Sequence, residues 1–163
     1  MLPIDHIIET LNMASHPEGG YFHETFRSAI SVTEETGDRP RAASTAIYFL
    51  LTAGSFSAFH RVKGLDEVWH LYCGEPVEVH LLSPEFGYQK HILGTDFSQG
   101  QRPQLVIPAG TYQAAATIGN GYSLCGCTVA PGFEFDDLSM AKRDHLIDMF
   151  PDCREVIERF TRV

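Results

Sequence analysis

Short runs of alternating apolar and polar residues dominate the middle of the chain. Between residues 43 and 130 these runs cover 44–52, 55–62, 66–73, 76–83, 88–94, 104–108, 111–117 and 122–130. Gly, Pro, Asn and Ser separate them, and short strands at regular spacing are typical of a sandwich or barrel. The pattern therefore predicts an all-β, antiparallel barrel.

Helical periodicity is confined to the two ends of the chain. Apolar residues recur at helical spacing over 3–13, and the segment HPEGG at 16–20 then interrupts the helix. The aromatic, alternating segment 21–28 predicts a further strand, and the polar segment 33–41 predicts a surface loop. Helices are predicted at 139–150 and 152–161. We expect one domain over 1–163, with a barrel at 20–135 and C-terminal helices within 139–161.

Charge and composition narrow the range of partners. The chain has 163 residues and a net charge of −9, so nucleic acid and anionic membranes are unfavourable partners. No apolar run approaches the roughly 20 residues of a membrane helix, and the N-terminus lacks the pattern of a signal peptide. We therefore expect a cytoplasmic protein. Its four cysteines form no C-x-x-C pair and are interpreted as reduced, buried apolar residues.

The stretch 54–74 contains the most informative spacing. Gly54, His60, Glu67 and Gly74 match the first cupin motif, G-x5-H-x-H-x4-E-x6-G, and Val62 stands where the second histidine would be. The motif resembles the hairpin that carries the metal ligands of cupins.

A second motif follows at the expected separation. Pro108 and Gly110 fit the frame P-x-G-x-x-H, with Gln113 in the place of the histidine. Together with HPEGGYFHETFRS (16–28) and GYSLCGCTVAPGFEFDD (121–137), the chain resembles the small fifth cupin family, long described as a domain of unknown function. That resemblance implies an RmlC-like jelly-roll (double-stranded β-helix) barrel, usually a homodimer, and no established activity.

Strand alternation indicates which of these side chains face the barrel lumen. If His60 points inward, Ala58 and Val62 do too, and an inward Glu67 brings Trp69 with it. His70 then points away.

The ligand set is incomplete for a metal. The resemblance to metal cupins implies three histidines and a glutamate, but valine cannot bind a metal, and the amide of Gln113 is a poor substitute for imidazole. We therefore expect no tightly bound metal and no cofactor.

Without a metal, the lumen still offers acid–base chemistry. His60, oriented by Glu67, can act as a general base near neutral pH. Gln113 can hold a substrate oxygen, and Trp69 can provide a stacking face. The alternative is that His60, Glu67 and Gln113 only bond to one another as a polar plug.

A second resemblance concerns the strand at 21–28. Gly20, Phe22, Glu24 and Phe26 match the frame D-x-R-G-x-F-x-E-x-F of the dTDP-deoxysugar epimerases, which are metal-free cupins. The resemblance implies that Phe22 and Glu24 contact a ligand, although plain strand packing also explains the two phenylalanines. The arginine of the motif is replaced by Gly19, which weakens the case for a nucleotide diphosphate.

Other polar features are assigned no site. The histidines outside the motifs fall into three groups: His6, His16 and His145 are expected in solvent, His23 faces away from Phe22, and His80 and His91 lack a visible partner. The acidic run GFEFDD at 132–137 is interpreted as a solvated loop.

Three functions remain open. The first is a metal-independent cupin that binds a small polar molecule, such as a sugar or sugar-like acid, and isomerises or epimerises it with His60 as the base. The second is a metal-dependent dioxygenase or isomerase, and the third is a ligand-binding barrel without turnover. The sequence does not decide whether the protein is an enzyme.

Overall fold

The computed structural model describes residues 3–33 and 40–162. Within them the chain forms short strands with helices at both ends. The strands are β1 (Ala14–Ser15), β2 (Tyr21–Arg27), β3 (Ser31–Thr33), β4 (Pro40–Ala42), β5 (Thr45–Thr52), β6 (Phe56–Val62), β7 (Glu67–Gly74), β8 (Val77–Ser83), β9 (Gly87–Leu93), β10 (Gln104–Ile107), β11 (Tyr112–Thr117), β12 (Tyr122–Val129) and β13 (Leu138–Met140). The α-helices are α1 (Ile4–Thr10), α2 (Arg143–Met149) and α3 (Arg154–Arg159), and single 3₁₀ turns lie at Phe97–Gln99, Phe135–Asp137 and Pro151–Cys153.

Two antiparallel sheets form the jelly roll. One has the strand order β1-β2-β5-β12-β7-β10 and the other the order β13-β6-β11-β8-β9. The core between them consists of residues from both sheets, among them Phe49, Trp69, Val79 and Cys125. The predicted jelly-roll fold is confirmed, and each of the eight predicted central strands is observed to within one residue at either end.

The two halves of the first motif lie in different sheets. β6 belongs to the five-stranded sheet and β7 to the six-stranded sheet, joined by a turn in which Gly64 adopts a φ of 69°. The motif is therefore not a pair of adjacent strands, because the turn carries the chain across the barrel. As a result His60 and Glu67 stand on opposite walls of the lumen, while Gln113 pairs directly with His60 across β6 and β11.

The predicted terminal helices are shorter than expected. Helix α1 ends at Thr10, and Asn12 takes a left-handed φ of 50° soon after. Residues Leu138–Met140 form β13 against β6 rather than the start of a helix, because their backbone pairs with the edge of the sheet.

Helices α2 and α3 cover the outer face of the five-stranded sheet. Leu146, Ile157 and Phe160 pack there against Phe59 and Tyr112. None of the helices in the described ranges is long and apolar enough to cross a membrane.

Part of the predicted loop at 33–41 forms a hairpin. Strands β3 and β4 pair at its base, while residues 34–39 lie outside the described residues.

Candidate functional site

A cavity opens between the two sheets at one end of the barrel. Including its open mouth, the space between its walls measures about 650 Å³. Its polar floor and apolar wall come from strands of both sheets and from the 132–138 segment. The lining residues that matter below are His16, Glu18, Phe22, Glu24, Arg27, Phe49, His60, Glu67, Cys127, Phe133, Glu134 and Phe135.

The floor of the cavity holds a buried pair of Glu18 and His60. His60 Nε2 lies 3.0 Å from Glu18 Oε2, and the side chains are 2% and 7% exposed. His60 Nδ1 lies 2.8 Å from the carbonyl oxygen of Ala58, which can only accept, so Nδ1 carries a proton. The hydroxyl of Ser57 donates to the other Glu18 oxygen at 2.9 Å. Any proton exchange at His60 must therefore take place at Nε2.

The pair shifts both pKa values towards the charged forms. Burial would lower the pKa of His60, but the neighbouring carboxylate of Glu18 outweighs it and raises that pKa to about 9. Burial would likewise raise the pKa of Glu18, but His60 holds it below its usual value. At neutral pH the resting pair is therefore a carboxylate and an imidazolium.

The backbone that follows Glu18 requires a glycine at position 19. The carbonyl of Glu18 accepts from the amide of Ala58 at 2.8 Å, which pins the segment to β6. Gly19 has a φ of 115°, and a Cβ at this position would collide with the carbonyl of Phe56. Only glycine fits here. The arginine of the epimerase frame would therefore not fit at this position.

Glu67 faces the pair from the opposite wall. Burial, followed by the charge of Glu18, raises its pKa. The amide nitrogen of Gln113 donates a short hydrogen bond to Glu67 Oε2, while Gln113 Oε1 is buried without a hydrogen-bond partner in the described residues. The indole N–H of Trp69 is near enough to lower the pKa of Glu67, although it does not reach hydrogen-bonding geometry. Glu67 therefore holds a proton more readily than an ordinary glutamate does.

An aromatic wall rises beside the polar floor. The ring of His16 makes edge contacts with Phe22 and Phe49, at centroid distances of 4.7 and 5.8 Å. Phe135 reaches the same group from the 3₁₀ turn, 6.0 Å from Phe22, and is 52% exposed at the mouth. Such a wall suits the apolar face of a ring-shaped ligand.

An ion cluster borders the mouth. Arg27 donates to both oxygens of Glu24, at 2.9 and 2.8 Å, and to Glu134 at 2.6 Å. It also donates to the carbonyl of Phe133 at 3.1 Å, which links β2 to the 132–138 segment.

The structure brings four of the six predicted site residues to the cavity. His60, Glu67, Phe22 and Glu24 line it, whereas the other two lie behind its wall. Gln113 contacts Glu67, and Trp69 packs edge-on against Phe49 in the core. Both would therefore position Glu67 rather than touch a ligand, because the strands of the barrel place them one layer deeper.

Sequence reasoning missed Glu18, Ser57 and His16. From the sequence, HPEGG is interpreted as a helix breaker and as part of two family resemblances, without a role for Glu18, and His16 is expected in solvent. The His16 side chain is instead only 7% exposed and packs against the phenylalanines. Ser57 was missed because a register shift in the pairing of β6 with β11 breaks simple alternation. A glutamate directly before a strained Gly-Gly pair was the available signal.

Two further expectations need correction. His80 and His91 both have hydrogen-bond partners, since His80 Nδ1 lies 2.8 Å from the Tyr88 hydroxyl and His91 Nε2 lies 3.1 Å from the amide oxygen of Gln89. Cys125 and Cys127 are buried, but Cys73 is exposed and Cys153 half-buried, and all four are free thiols.

The acidic run at 132–137 is only partly solvated. Asp137 is buried and paired with Arg41 at 2.6 Å, and Phe135 and Glu134 line the cavity.

The described residues do not fit the metal site of cupins. No three of their His, Cys, Asp or Glu side chains form a cluster that could hold a metal ion. Val62 offers no ligand atom, Gln113 turns its amide nitrogen towards Glu67, and both nitrogens of His60 face other acceptors. We therefore derive no step through a metal.

Comparison with known proteins identifies the family. Residues 5–141 match the family described as cupin superfamily (DUF985). The chain belongs to this family. It is 30% identical to the uncharacterized protein YML079W of Saccharomyces cerevisiae over 154 residues, which cover 85% of this chain and 75% of that protein.

Two solved structures share nearly the whole fold. Protein SO0799 from Shewanella oneidensis superposes with a TM-score of 0.90 and 34% identity, covering 99% of both chains. A hypothetical protein from Leishmania major gives a TM-score of 0.90 and 30% identity, covering 99% of this chain and 100% of that one. A dTDP sugar isomerase from Desulfovibrio desulfuricans, at a TM-score of 0.53 and 15% identity over 76% of this chain and 85% of that one, shares the fold alone.

The protonation of the buried pair can be measured. We expect the imidazole nitrogens of His60 to titrate near pH 9 in nitrogen-15 NMR spectra, and Glu18→Gln to bring the midpoint below about 6.5, the unperturbed value, because burial then dominates. Since folding raises the pKa of His60, its stabilisation is complete below about pH 6.5 and is lost as the pH rises through about 9. A His60 midpoint at or below 6.5 in the unaltered protein would contradict this account.

Proposed function

We propose that the protein binds a small sugar-like molecule in the cavity and isomerises or epimerises it without a metal. The observation that carries this proposal is the buried pair of Glu18 and His60, which faces a protonatable Glu67 across the cavity floor. Groups whose environments push their pKa values apart are typical of paired acid–base chemistry. The family and its more distant fold relatives establish no activity for this chain, so the proposal depends on the site.

The pair supplies a base once its proton moves. His60 Nδ1 is held by the Ala58 carbonyl, so the proton that leaves His60 passes from Nε2 to Glu18 Oε2 over 3.0 Å. Glu18 keeps this proton and turns its O–H away from Nε2. The freed lone pair of Nε2 then accepts a proton from the carbon beside a substrate carbonyl. The site gains one proton and the substrate becomes an enediolate. This makes His60 the base that the sequence predicts, with Glu18 as its partner.

Glu67 is suited to return a proton. Its raised pKa means that Glu67, on the wall opposite His60, holds a proton more readily than an ordinary glutamate does. Protonation of the enediolate from that side at the same carbon gives the inverted centre. Protonation at the neighbouring carbon, with the hydroxyl proton passing from one enediolate oxygen to the other, gives the isomeric carbonyl compound. Glu67 then recovers its proton from the imidazolium. Gln113 holds the Glu67 carboxyl group in place through its amide nitrogen.

Solvent exchange of the substrate proton tests this function. The protein should catalyse deuterium incorporation next to the carbonyl of free aldoses or ketoses in D₂O, measured by proton NMR over a panel of sugars. We expect His60→Gln to slow exchange at least about 100-fold, the lower end for a positioned acid–base group. His70→Gln is the matched control, because His70 bonds Thr128 and Gln104 outside the cavity.

Each rival function predicts a different result. Unchanged exchange in His60→Gln would remove His60 from the mechanism. Binding without exchange in any sugar would favour a non-catalytic barrel. Loss of exchange after treatment with a chelator, restored by a divalent metal, would favour a metal enzyme.

We also propose that the protein is a homodimer that pairs through β2. In the described part of the chain, β1 covers only Tyr21 and Phe22 on the outer edge of β2, which leaves the edge from His23 to Arg27 open. Phe26 is 53% exposed and Ile30 is 70% exposed beside it. An open edge next to exposed apolar side chains favours addition of a second strand.

The mass in solution tests the dimer. Light scattering at micromolar concentration should give twice the chain mass of 18.2 kDa, and Thr25→Pro, which blocks further pairing at the edge, should reduce it towards 18.2 kDa. A mass of 18.2 kDa for the unaltered protein would refute the dimer.

A further inference from the structure

The mouth of the cavity, in the described part of the chain, contains one arginine, and four of its five N–H groups already have acceptors. Arg27 is the only lysine or arginine among the described residues that line the cavity. Its Nε, Nη1 and Nη2 are directed at Glu24, Glu134 and the carbonyl of Phe133. An incoming phosphate or carboxylate would have to compete with these two carboxylates for the guanidinium.

The charges that line the cavity do not favour an anion. Glu18 and His60 together carry no net charge, whichever of the two holds their shared proton. Glu24 and Glu134 outnumber Arg27 by two to one, so the described mouth carries one excess negative charge. An ionised Glu67 would only increase it. Charges of one sign in a cleft with low-dielectric walls repel ligands of the same sign.

We propose that this cavity takes an uncharged, hydroxylated ligand, and that Glu24 and Glu134 exclude phosphorylated and carboxylated molecules by occupying Arg27. The inference rests on the proposed function in that it assumes the cavity is the ligand site. It narrows the ligand from a sugar or sugar-like acid to a free, neutral sugar. The aromatic wall of Phe22, Phe49 and Phe135 provides the apolar surface that such a ring needs, and Glu67 and His16 provide polar contacts.

The potential inside the cavity can be measured without knowing the ligand. Leu138 is half-buried and lines the cavity, so Leu138→Cys places a thiol there, in a background with Cys73→Ser and Cys153→Ser. Cys125 and Cys127 are buried, and burial raises the pKa of both thiols, which slows their reaction. Because Cys127 also lines the cavity, the rate of the same background without Leu138→Cys is measured and subtracted. The probes are two methanethiosulfonates, one carrying a trimethylammonium group and one a sulfonate. The exposed Cys73, in a chain with Leu138 intact and Cys153→Ser, is the reference thiol.

For each thiol we take the rate with the cationic probe divided by the rate with the anionic probe. We expect this ratio to be at least about tenfold higher at the introduced thiol than at Cys73, because a negative charge within roughly 10 Å attracts the cationic probe. Adding Glu24→Gln and Glu134→Gln, which leaves Arg27 unpaired, should reverse this preference. Glu155→Gln with Glu158→Gln on α3 removes the same charge far from the mouth and should leave the ratio unchanged. If Leu138→Cys does not fold, Val129→Cys, which also lines the cavity, replaces it.

A binding arm completes the test. In calorimetric titration with dTDP, the unaltered protein should show no binding at millimolar concentration, and the Glu24→Gln, Glu134→Gln protein should bind at least tenfold more tightly. The inference would be overturned if the rate ratio at the introduced thiol equalled that at Cys73, or if the unaltered protein bound dTDP. Neither readout uses proton exchange. If the predicted ratios hold without deuterium exchange in any sugar, only the proposed function fails, and if exchange persists with an anion-preferring cavity, only this inference fails.

Discussion

A buried carboxylate and a buried imidazolium must form an ion pair with each other, because an isolated charge away from water is far too costly to persist. Glu18 and His60 meet this requirement at the floor of the barrel, with Ser57 and the Ala58 carbonyl completing their hydrogen bonds. The pair lies between the Gly19 turn and Glu67, whose pKa is raised first by burial and then by the charge of Glu18. The chemistry proposed for the cavity follows from this arrangement.

The topology of the barrel brings Glu67 to the cavity that the buried pair lines. Because the turn of the first motif crosses from one sheet to the other, His60 and Glu67 approach the same space from opposite walls. The loop before β2 supplies Glu18 from outside both motifs. Phe22 and Glu24 then follow on the strand that leads away from it, so one continuous segment builds part of the floor, the aromatic wall and the acidic mouth.

Much of the fold could be predicted from the sequence, because alternation and turn residues specify strands locally. The eight central strands and the helix–barrel–helix order are of this kind. The strand at Leu138–Met140 could not be predicted, since its pairing depends on the edge that β6 leaves free. The depth of Gln113 and Trp69 behind the wall is likewise set by how the two sheets stack.

The candidate site was only half visible in the sequence for a related reason. His60 and Glu67 belong to a motif with fixed spacing, so their approach could be expected. Glu18 is 42 residues from His60, outside both cupin motifs and at an unspecified position of the epimerase frame. Its role depends on a glycine pair whose left-handed backbone brings it against β6, and on a register shift that turns Ser57 towards it. Contacts between residues this far apart in the chain produce no periodic pattern in the sequence.

A double-mutant cycle on Glu18 and His60 tests the central claim most directly. Free energies of unfolding in urea at pH 7 would be compared for the unaltered protein, Glu18→Gln, His60→Gln and the double variant. If the two side chains form a buried ion pair, their coupling energy should be about 2 kcal/mol or more, near the upper part of the range for contacting residues. A coupling energy near zero would show that the two groups do not depend on each other and would contradict the account.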